Sequence, residues 1–388
     1  MKPCPKTYPV KPLGPKPMSV ATRMTALGVN LAVLAAMSMG MSQIKRDEVV
    51  VFYPTCAHLD SQGKTWIVPI HGVIFEPEGN SLKRTLLVEG IRRQLDVESG
   101  TPEAEVFDRR ARLFLVDHER GKEISIRLSS RTYRVGKSGA NGHFAANVRL
   151  SVAEANRLLG DRPTDGSWGS FQAITRAGDD RQFEGRFQCV GNSGLSVVSD
   201  IDDTIKDSQV TDRRVLLRNT FLKDFKPVSG MADAYGRAAE RGVVFHYVSA
   251  SPWQLYGPLA EFCRREGFPP GSFHLKHVRP TDSSALSLLG SQEATKLRAI
   301  EPILATFPGR RFILIGDSGE QDPEIFGKVA REHPDQIAAI CIRNVTDEAA
   351  QSDRFRAAFQ GIAPGLWMLF RQPTECESRM RELLRARR

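Results

Sequence analysis

The chain has 388 residues, 41% of them hydrophobic and 26% charged, and carries a net charge of +9. That length holds two or three domains with a sizeable core, and the composition excludes a disordered or fibrous chain. Residues 1–46 hold seven Lys/Arg and no acid, and residues 371–388 hold six Arg against three Glu, so the stretch between is close to neutral. A nucleic-acid footprint requires a basic face on a folded domain, and this distribution argues against one. The six cysteines are scattered with no C-x-x-C pair, which speaks against zinc and against a small disulfide framework, and no iron or zinc chemistry is expected.

Residues 1–48 read as a leader. A basic, Pro-rich start is followed by "TALGVNLAVLAAMSMGM" (25–41), with Ser38-Met39-Gly40 as a small-x-small cleavage site. This pattern suits a signal peptide or membrane attachment. The apolar stretch is short for a spanning helix, and Asn30 interrupts it. A start at Met18 or Met24 is the alternative, with a cytoplasmic product.

Residues 49–190 are expected to form a β-rich domain with a helical insertion. Strand character marks 49–54, 65–77, 122–128, 142–151 and 181–190, and helical patterns cover 81–95 and 102–114. From residue 191 the rhythm changes to short buried strands (195–200, 243–250, 273–275, 311–317, 337–344) alternating with helices (231–241, 252–266, 291–306, 322–333). That alternation predicts an α/β domain with a parallel sheet over 191–350. Residues 351–388 are left as a helical basic tail.

Ligands of open α/β sheets bind beyond the carboxyl ends of the strands, so the residues there matter most. The first strand runs into "DIDDT" (200–204), and the second carries Ser249 near its end. Lys296 lies on the helix before the fourth strand, which runs into "GDSGEQD" (316–322). Crowded carboxylates raise each other's cost of ionisation, so something positive must offset it: a metal ion, a Lys or Arg partner, or helix amides. A calcium loop starting at Asp200 needs Gly sixth and Glu twelfth; Ile205 and Thr211 stand there. "GDSGE" with "TCAH" imitates a chymotrypsin-like protease, but that fold is built of β-barrels.

D-x-D-x-T, a strand-end Ser, a Lys and G-D-x-x-x-x-D, in that order, resemble the four motifs of the haloacid-dehalogenase-like phosphatases. More closely, "SDIDDTIKDSQV", "FHYVSASPWQLY", "FHLKHVRP" and "FILIGDSGEQDPEIF" are similar to the actin-patch phosphatidate phosphatase family. "FYPTCAHL" and "HGVIFEPEG" are similar to the domain that precedes catalysis in that family. The resemblance implies a Rossmann-like haloacid-dehalogenase core and a phosphate-ester hydrolase. Asp200 would be the nucleophile, forming an aspartyl-phosphate. Asp202 would protonate the leaving oxygen and then deprotonate water. Thr204 would hold the loop, Ser249 would bond the phosphoryl oxygens, and Lys296 would neutralise transition-state charge. Mg²⁺ would sit between Asp200, the backbone carbonyl of Asp202, and Asp317. Asp322, before Pro323, reads equally as a helix N-cap or as part of this site.

The segment 205–230 lies where the superfamily places a flap, and carries Lys206, Arg213, Arg214, Arg218, Lys223 and Lys226. Lys276, His277 and Arg279 follow the third strand. A solvated basic surface is one reading of both groups, and contact with an anionic headgroup or membrane is the other. Trp253, Leu255 and Tyr256 read as core of a helix or as an acyl-chain contact. Phosphatidate is the substrate that the resemblance implies. A phosphatase of soluble phosphomonoesters and a non-enzymatic lipid- or partner-binding adaptor stay open, although an adaptor has no need of Asp200, Asp202, Lys296 and Asp317 together.

Overall fold

The computed structural model describes residues 44–77, 82–160, 166–277 and 292–386. The first half builds β1 (Val49–Tyr53), β2 (Thr55–Leu59) and β3 (Thr65–Glu76), then helices α1 (Leu82–Gln94) and α2 (Pro102–Ala111). It continues with β4 (Asp117–His118), β5 (Glu123–Leu128), β6 (Arg131–Lys137), β7 (His143–Ser151), α3 (Val152–Leu159), β8 (Trp168–Ala173) and β9 (Glu184–Cys189). The strands pair in the order β1-β3-β2-β9-β8-β5-β6, with β4 and β7 also on β3. Side chains alternate across a strand, so Val50 and Phe52 enter the core of this sheet with Phe144, Phe171 and Phe187. Tyr53 and Val73 instead join a core shared with the second half.

The second half comprises β10 (Leu195–Ser199), α4 (Arg213–Phe221), α5 (Met231–Ala239), β11 (Val244–Pro252), α6 (Tyr256–Arg265) and β12 (Ser272–Lys276). After these come α7 (Gln292–Thr306), β13 (Arg311–Asp317), α8 (Asp322–Glu332), β14 (Ile337–Arg343), α9 (Asp353–Ala358), β15 (Trp367–Phe370) and α10 (Pro373–Arg385). All neighbouring strands are parallel, in the order β12-β11-β10-β13-β14-β15. Both faces are apolar, as a parallel sheet covered by helices requires. Val197, Tyr247, Ile313 and Ile315 fill one face; Val198, Val248, Leu314 and Ile340 fill the other. The chain builds outward from β10 to β12, then returns to place β13 on the opposite side. The crevice between the carboxyl ends of β10 and β13 is therefore the switch point where such sheets bind ligands.

Among the described residues five strands, β2, β4, β6, β8 and β15, add to those expected from sequence. β6 is an edge strand in which only Val135 is buried, so its side chains carry no strand pattern. The expected tail at 351–388 is corrected: β15 pairs with β14, and Pro373, Cys376 and Met380 are buried on one face of α10. Their spacing of three and four residues is an amphipathic stripe hidden among arginines. The helical insertion packs over the second half. Arg110 of α2 is buried, donates to the carbonyls of Asn219 and Thr220 beyond α4's middle, and stacks on Phe225 at 4.0 Å. Among the described residues no helix is long and apolar enough to cross a membrane. The apolar stretch of the leader lies outside them.

Candidate active site

Asp200 leaves β10 at the switch point, with its amide donating to Ile315 O on β13 at 2.8 Å. Its carboxylate is 1% exposed. Thr204 Oγ1 donates to Asp200 Oδ2 at 3.2 Å, and Lys296 Nζ lies 2.8 Å from Oδ1. The threonine therefore orients the Asp200 carboxylate itself rather than only the loop. Lys296 comes from α7 and also meets Glu320 Oε2 at 3.0 Å and Asp322.

Asp317 ends β13. Its Oδ1 accepts from the amides of Gly319 at 2.6 Å and Glu320 at 3.1 Å, while its Oδ2 is buried without a hydrogen-bond partner. Asp322 starts α8 but does not cap it with its side chain. Its Oδ2 accepts from Asp317 N at 3.1 Å, which turns the carboxylate back into the site. Gly316 permits this approach, because a Cβ there would lie 2.2 Å from Asp322 Oδ2. One oxygen from each of Asp200, Asp317 and Asp322 lies within 4.8 Å of the others. Four acids here face one lysine. Burial, then the Asp322, Glu320 and Asp317 charges, push Asp200 well above the usual carboxylate range, against the pull of Lys296. Burial, then Asp322 and Glu320, do the same to Asp317.

Asp202 has a different environment. Lys206 Nζ lies 2.6 Å from its Oδ1, Ser208 Oγ donates to Oδ1 at 2.8 Å, and Ser249 and Ser251 donate to Oδ2 at 3.2 and 3.1 Å. Burial pushes Asp202 up, but the Lys206 charge and these donors outweigh it and hold the carboxyl below its ordinary range. An ionised Asp202 is in the state a base requires. Its side chain is not among the three converging carboxylates; any part in holding a cation falls to its backbone carbonyl. Asp203 is taken out of the crowd altogether. At φ +52° it points its carboxylate at the amides of Ser208, Gln209 and Val210, at 2.7, 2.8 and 2.6 Å.

Lys206, Ser208, Ser251 and Glu320 are the site residues that sequence reasoning missed. Ser251 was within reach, since residues two apart on a strand share a face with Ser249. Lys206 had been grouped with the flap's basic residues. Of those, Lys206 is spent on Asp202, while Arg214 pairs with Asp96 at 2.6 Å. Arg218 binds Glu103 at 2.9 Å and Leu95 O at 3.0 Å. These three hold the flap to the protein rather than meeting a headgroup.

Lys276 and His277 are not brought to Asp200. Lys276 ends β12 and His277 follows it, two strands from β10 and so about 10 Å across the sheet. They line a cavity of about 640 Å³ in which none of Asp200, Asp202, Lys296 or Asp317 takes part. Arg279 lies outside the described residues. Trp253 and Leu255 are core residues, 6% and 2% exposed. Asp202 itself reaches a small cavity of about 40 Å³, walled by Leu216, Leu217, Phe221 and Leu255.

Residues 195–344 match the family model described as "Phosphatidate phosphatase APP1, catalytic domain". Phosphatidate phosphatase APP1 of Saccharomyces cerevisiae is 40% identical over 154 residues, 39% of this chain and 26% of that protein. An uncharacterised protein of Schizosaccharomyces pombe is 30% identical over 160 residues, 40% of this chain and 26% of its own length. The chain thus spans about a quarter of the length of these relatives, 26% in each case. Among solved structures it is similar to a HAD-like phosphatase from Mesorhizobium loti, at 15% identity, 50% of this chain, 85% of that one and a TM-score of 0.31. It is also similar to a phospho-aspartyl intermediate analogue of phosphoserine phosphatase, at 11% identity, 46% and 93% coverage and a TM-score of 0.28. The fold assignment rests on the strand order and the family on the sequence match. Residues 195–344 are thus similar to the phosphatidate phosphatase APP1 catalytic domain.

Proposed function

We propose that the chain is a Mg²⁺-dependent phosphatase that hydrolyses a phosphate monoester through an aspartyl-phosphate on Asp200. The observation that carries this reading is Asp200 itself, buried at the switch point and oriented by Thr204, with Lys296 2.8 Å from its free oxygen. The cation site passes a test on its own chemistry. Asp317 Oδ2 is a buried oxygen without a donor, and an all-oxygen set from Asp200, Asp317 and Asp322 suits a hard divalent cation. Mg²⁺ bound there would offset the carboxylate charge and that of the phosphoryl oxygens.

The chain's own residues perform two displacements. An Asp200 oxygen attacks phosphorus as the phosphorus–oxygen bond to the alcohol breaks, and the departing oxygen takes a proton from Asp202 in its acid form, leaving Asp202 as the carboxylate. Water then attacks the same phosphorus, Asp202 accepts its proton, and the bond to Asp200 breaks to release inorganic phosphate. Splitting the reaction lowers a barrier that is among the highest for uncatalysed hydrolysis. Lys296 favours the ionised form of Asp200, and with the charge of a bound Mg²⁺ beside it would offset burial and the neighbouring acids; it also faces the transferring group.

The preferred substrate is phosphatidate, hydrolysed to diacylglycerol. The name of the Saccharomyces cerevisiae relative and the apolar wall of Leu216, Leu217, Phe221 and Leu255 beside Asp202 support this. A cavity of about 40 Å³ does not admit such an ester, so α4 moves when substrate enters. The basic and apolar composition of the leader supports export or attachment to an anionic membrane, where such a substrate resides. The test is a panel of phosphatidate, lysophosphatidate and sugar phosphates, with Mg²⁺ and with EDTA. Phosphate release confined to lipid esters and to Mg²⁺ is expected. Release from sugar phosphates alone would replace the substrate, and full turnover in EDTA would remove the metal.

A further inference from the structure

Three histidines outside the active site converge on the seam between the two sheets. His71 on β3 and His143 on β7 are diagonal cross-strand neighbours, since Val73 faces His143 and His71 faces Ala145. His71 Nε2 lies 3.3 Å from His143 Nδ1. His277, just past β12, completes the group, with one ring nitrogen from each residue within 4.8 Å of the others. The residues are far apart in sequence and come from both halves of the molecule.

The geometry matches a known coordination. Nitrogens bonded at about 2.0–2.1 Å to a tetrahedral Zn²⁺ stand about 3.3 Å from each other. At that separation the two rings share a hydrogen bond, which a shared metal would replace. Burial holds His71 and His143 neutral, the state in which imidazole ligates a metal. His71 and His277 line the cavity of about 640 Å³, which has no carboxylate among its described lining residues and gives a path inward. Imidazole without carboxylate suits Zn²⁺, Co²⁺, Ni²⁺ or Cu²⁺ and does not suit Mg²⁺. The active-site acids have the opposite preference, so the two sites would not compete for one ion.

We propose that His71, His143 and His277 bind one Zn²⁺-class cation and so tie the β-rich sheet to the edge of the parallel sheet. Three protein ligands leave one tetrahedral position for water or a small anion from the cavity. His277 Nε2 now accepts from the Trp253 indole N–H at 3.2 Å, and the Trp253 ring packs at a tilt of 39° against Tyr53, with centroids 3.9 Å apart. Metal uptake at His277 changes that hydrogen bond, which makes Trp253 fluorescence a second reporter.

The test uses the full chain, stripped with chelator and dialysed into excess Mg²⁺ so that the oxygen site is filled. Co²⁺ is the probe, followed by visible absorption and then displaced by Zn²⁺. One equivalent with the intense absorption of tetrahedral Co²⁺ is expected, together with a change in Trp253 fluorescence. Affinity should fall at least tenfold in His143→Gln and in His277→Gln, and persist in Asp317→Asn. His277 is exposed, so His277→Gln retains the fold, and Zn²⁺ should raise the melting temperature of wild type but not of this variant. Absence of the tetrahedral spectrum in wild type would overturn the proposal. So would a spectrum unchanged by both histidine substitutions or abolished by Asp317→Asn.

Discussion

Lys206 Nζ and Asp202 Oδ1 are 2.6 Å apart, with the lysine side chain 2% exposed and the aspartate 10%. Four positions separate them, yet they lie on a loop rather than a helix, joined by a bridge between the two residues. This pair sets the ionisation of the residue assigned to activate water.

Lys206→Met should therefore alter the pH profile. A depressed carboxyl contributes stability that is present above its unfolded value and lost as pH falls through the folded one. In wild type that loss lies in strong acid, below the usual aspartate range. Without Lys206, burial acts unopposed by its charge and the acidic limb of kcat/KM moves to higher pH. Removing one partner of a buried pair also costs about 3–5 kcal/mol. Denaturant unfolding and a pH–rate series check both effects; an unmoved acidic limb would show that Lys206 does not govern Asp202.

Asp317→Asn tests the crowding of acids. Asp317 is raised, so its effect has the opposite sign: stability is fullest at low pH and falls as pH rises through the raised value. The asparagine keeps Oδ1 for the amides of Gly319 and Glu320 and removes the charge. In EDTA at neutral pH the variant should melt a few degrees above wild type. Its activity should fall to background, and Mg²⁺ should no longer raise its melting temperature. Calorimetry with and without Mg²⁺ measures each part.

The flap helix α4 is held by Arg218, on Glu103 and Leu95 O. A partly exposed pair of this kind is worth up to about 1 kcal/mol, or about fivefold in an opening equilibrium. Arg218→Ala should raise kcat/KM several-fold for a long-chain lipid phosphate and less for a short-chain one. A ratio of the two substrates that stays constant would show that α4 does not gate entry.

Much of the site was legible because its chemistry is local. Asp200, Asp202 and Thr204 sit within five positions behind a buried apolar strand, and Asp317 ends another, so the pattern put them at strand ends and the family resemblance gave them their roles. The partners of those residues were not legible. Lys206 faces Asp202 only because the loop folds back on itself. Asp203 reads as a fourth site acid until its carboxylate is seen capping the amides of residues 208–210. Lys276 and His277 were misplaced because strand order is a tertiary property: β12 is sequentially close to the site and spatially at the sheet's edge. The strand β15 and helix α10 were hidden by arginines on the exposed side of a stripe that packs inward.

The central claim is covalent chemistry at Asp200. Asp202→Asn keeps the nucleophile, Thr204 and Lys296, but deletes the base for the second displacement. With an ester whose leaving group needs no proton, the first displacement proceeds and the second stalls. Rapid acid quench and mass spectrometry of the peptide containing Asp200 read the outcome. The account predicts one phosphate on Asp200 in Asp202→Asn and none in Asp200→Asn. Phosphate on Ser249 or Ser318, or continued turnover by Asp200→Asn, would contradict it.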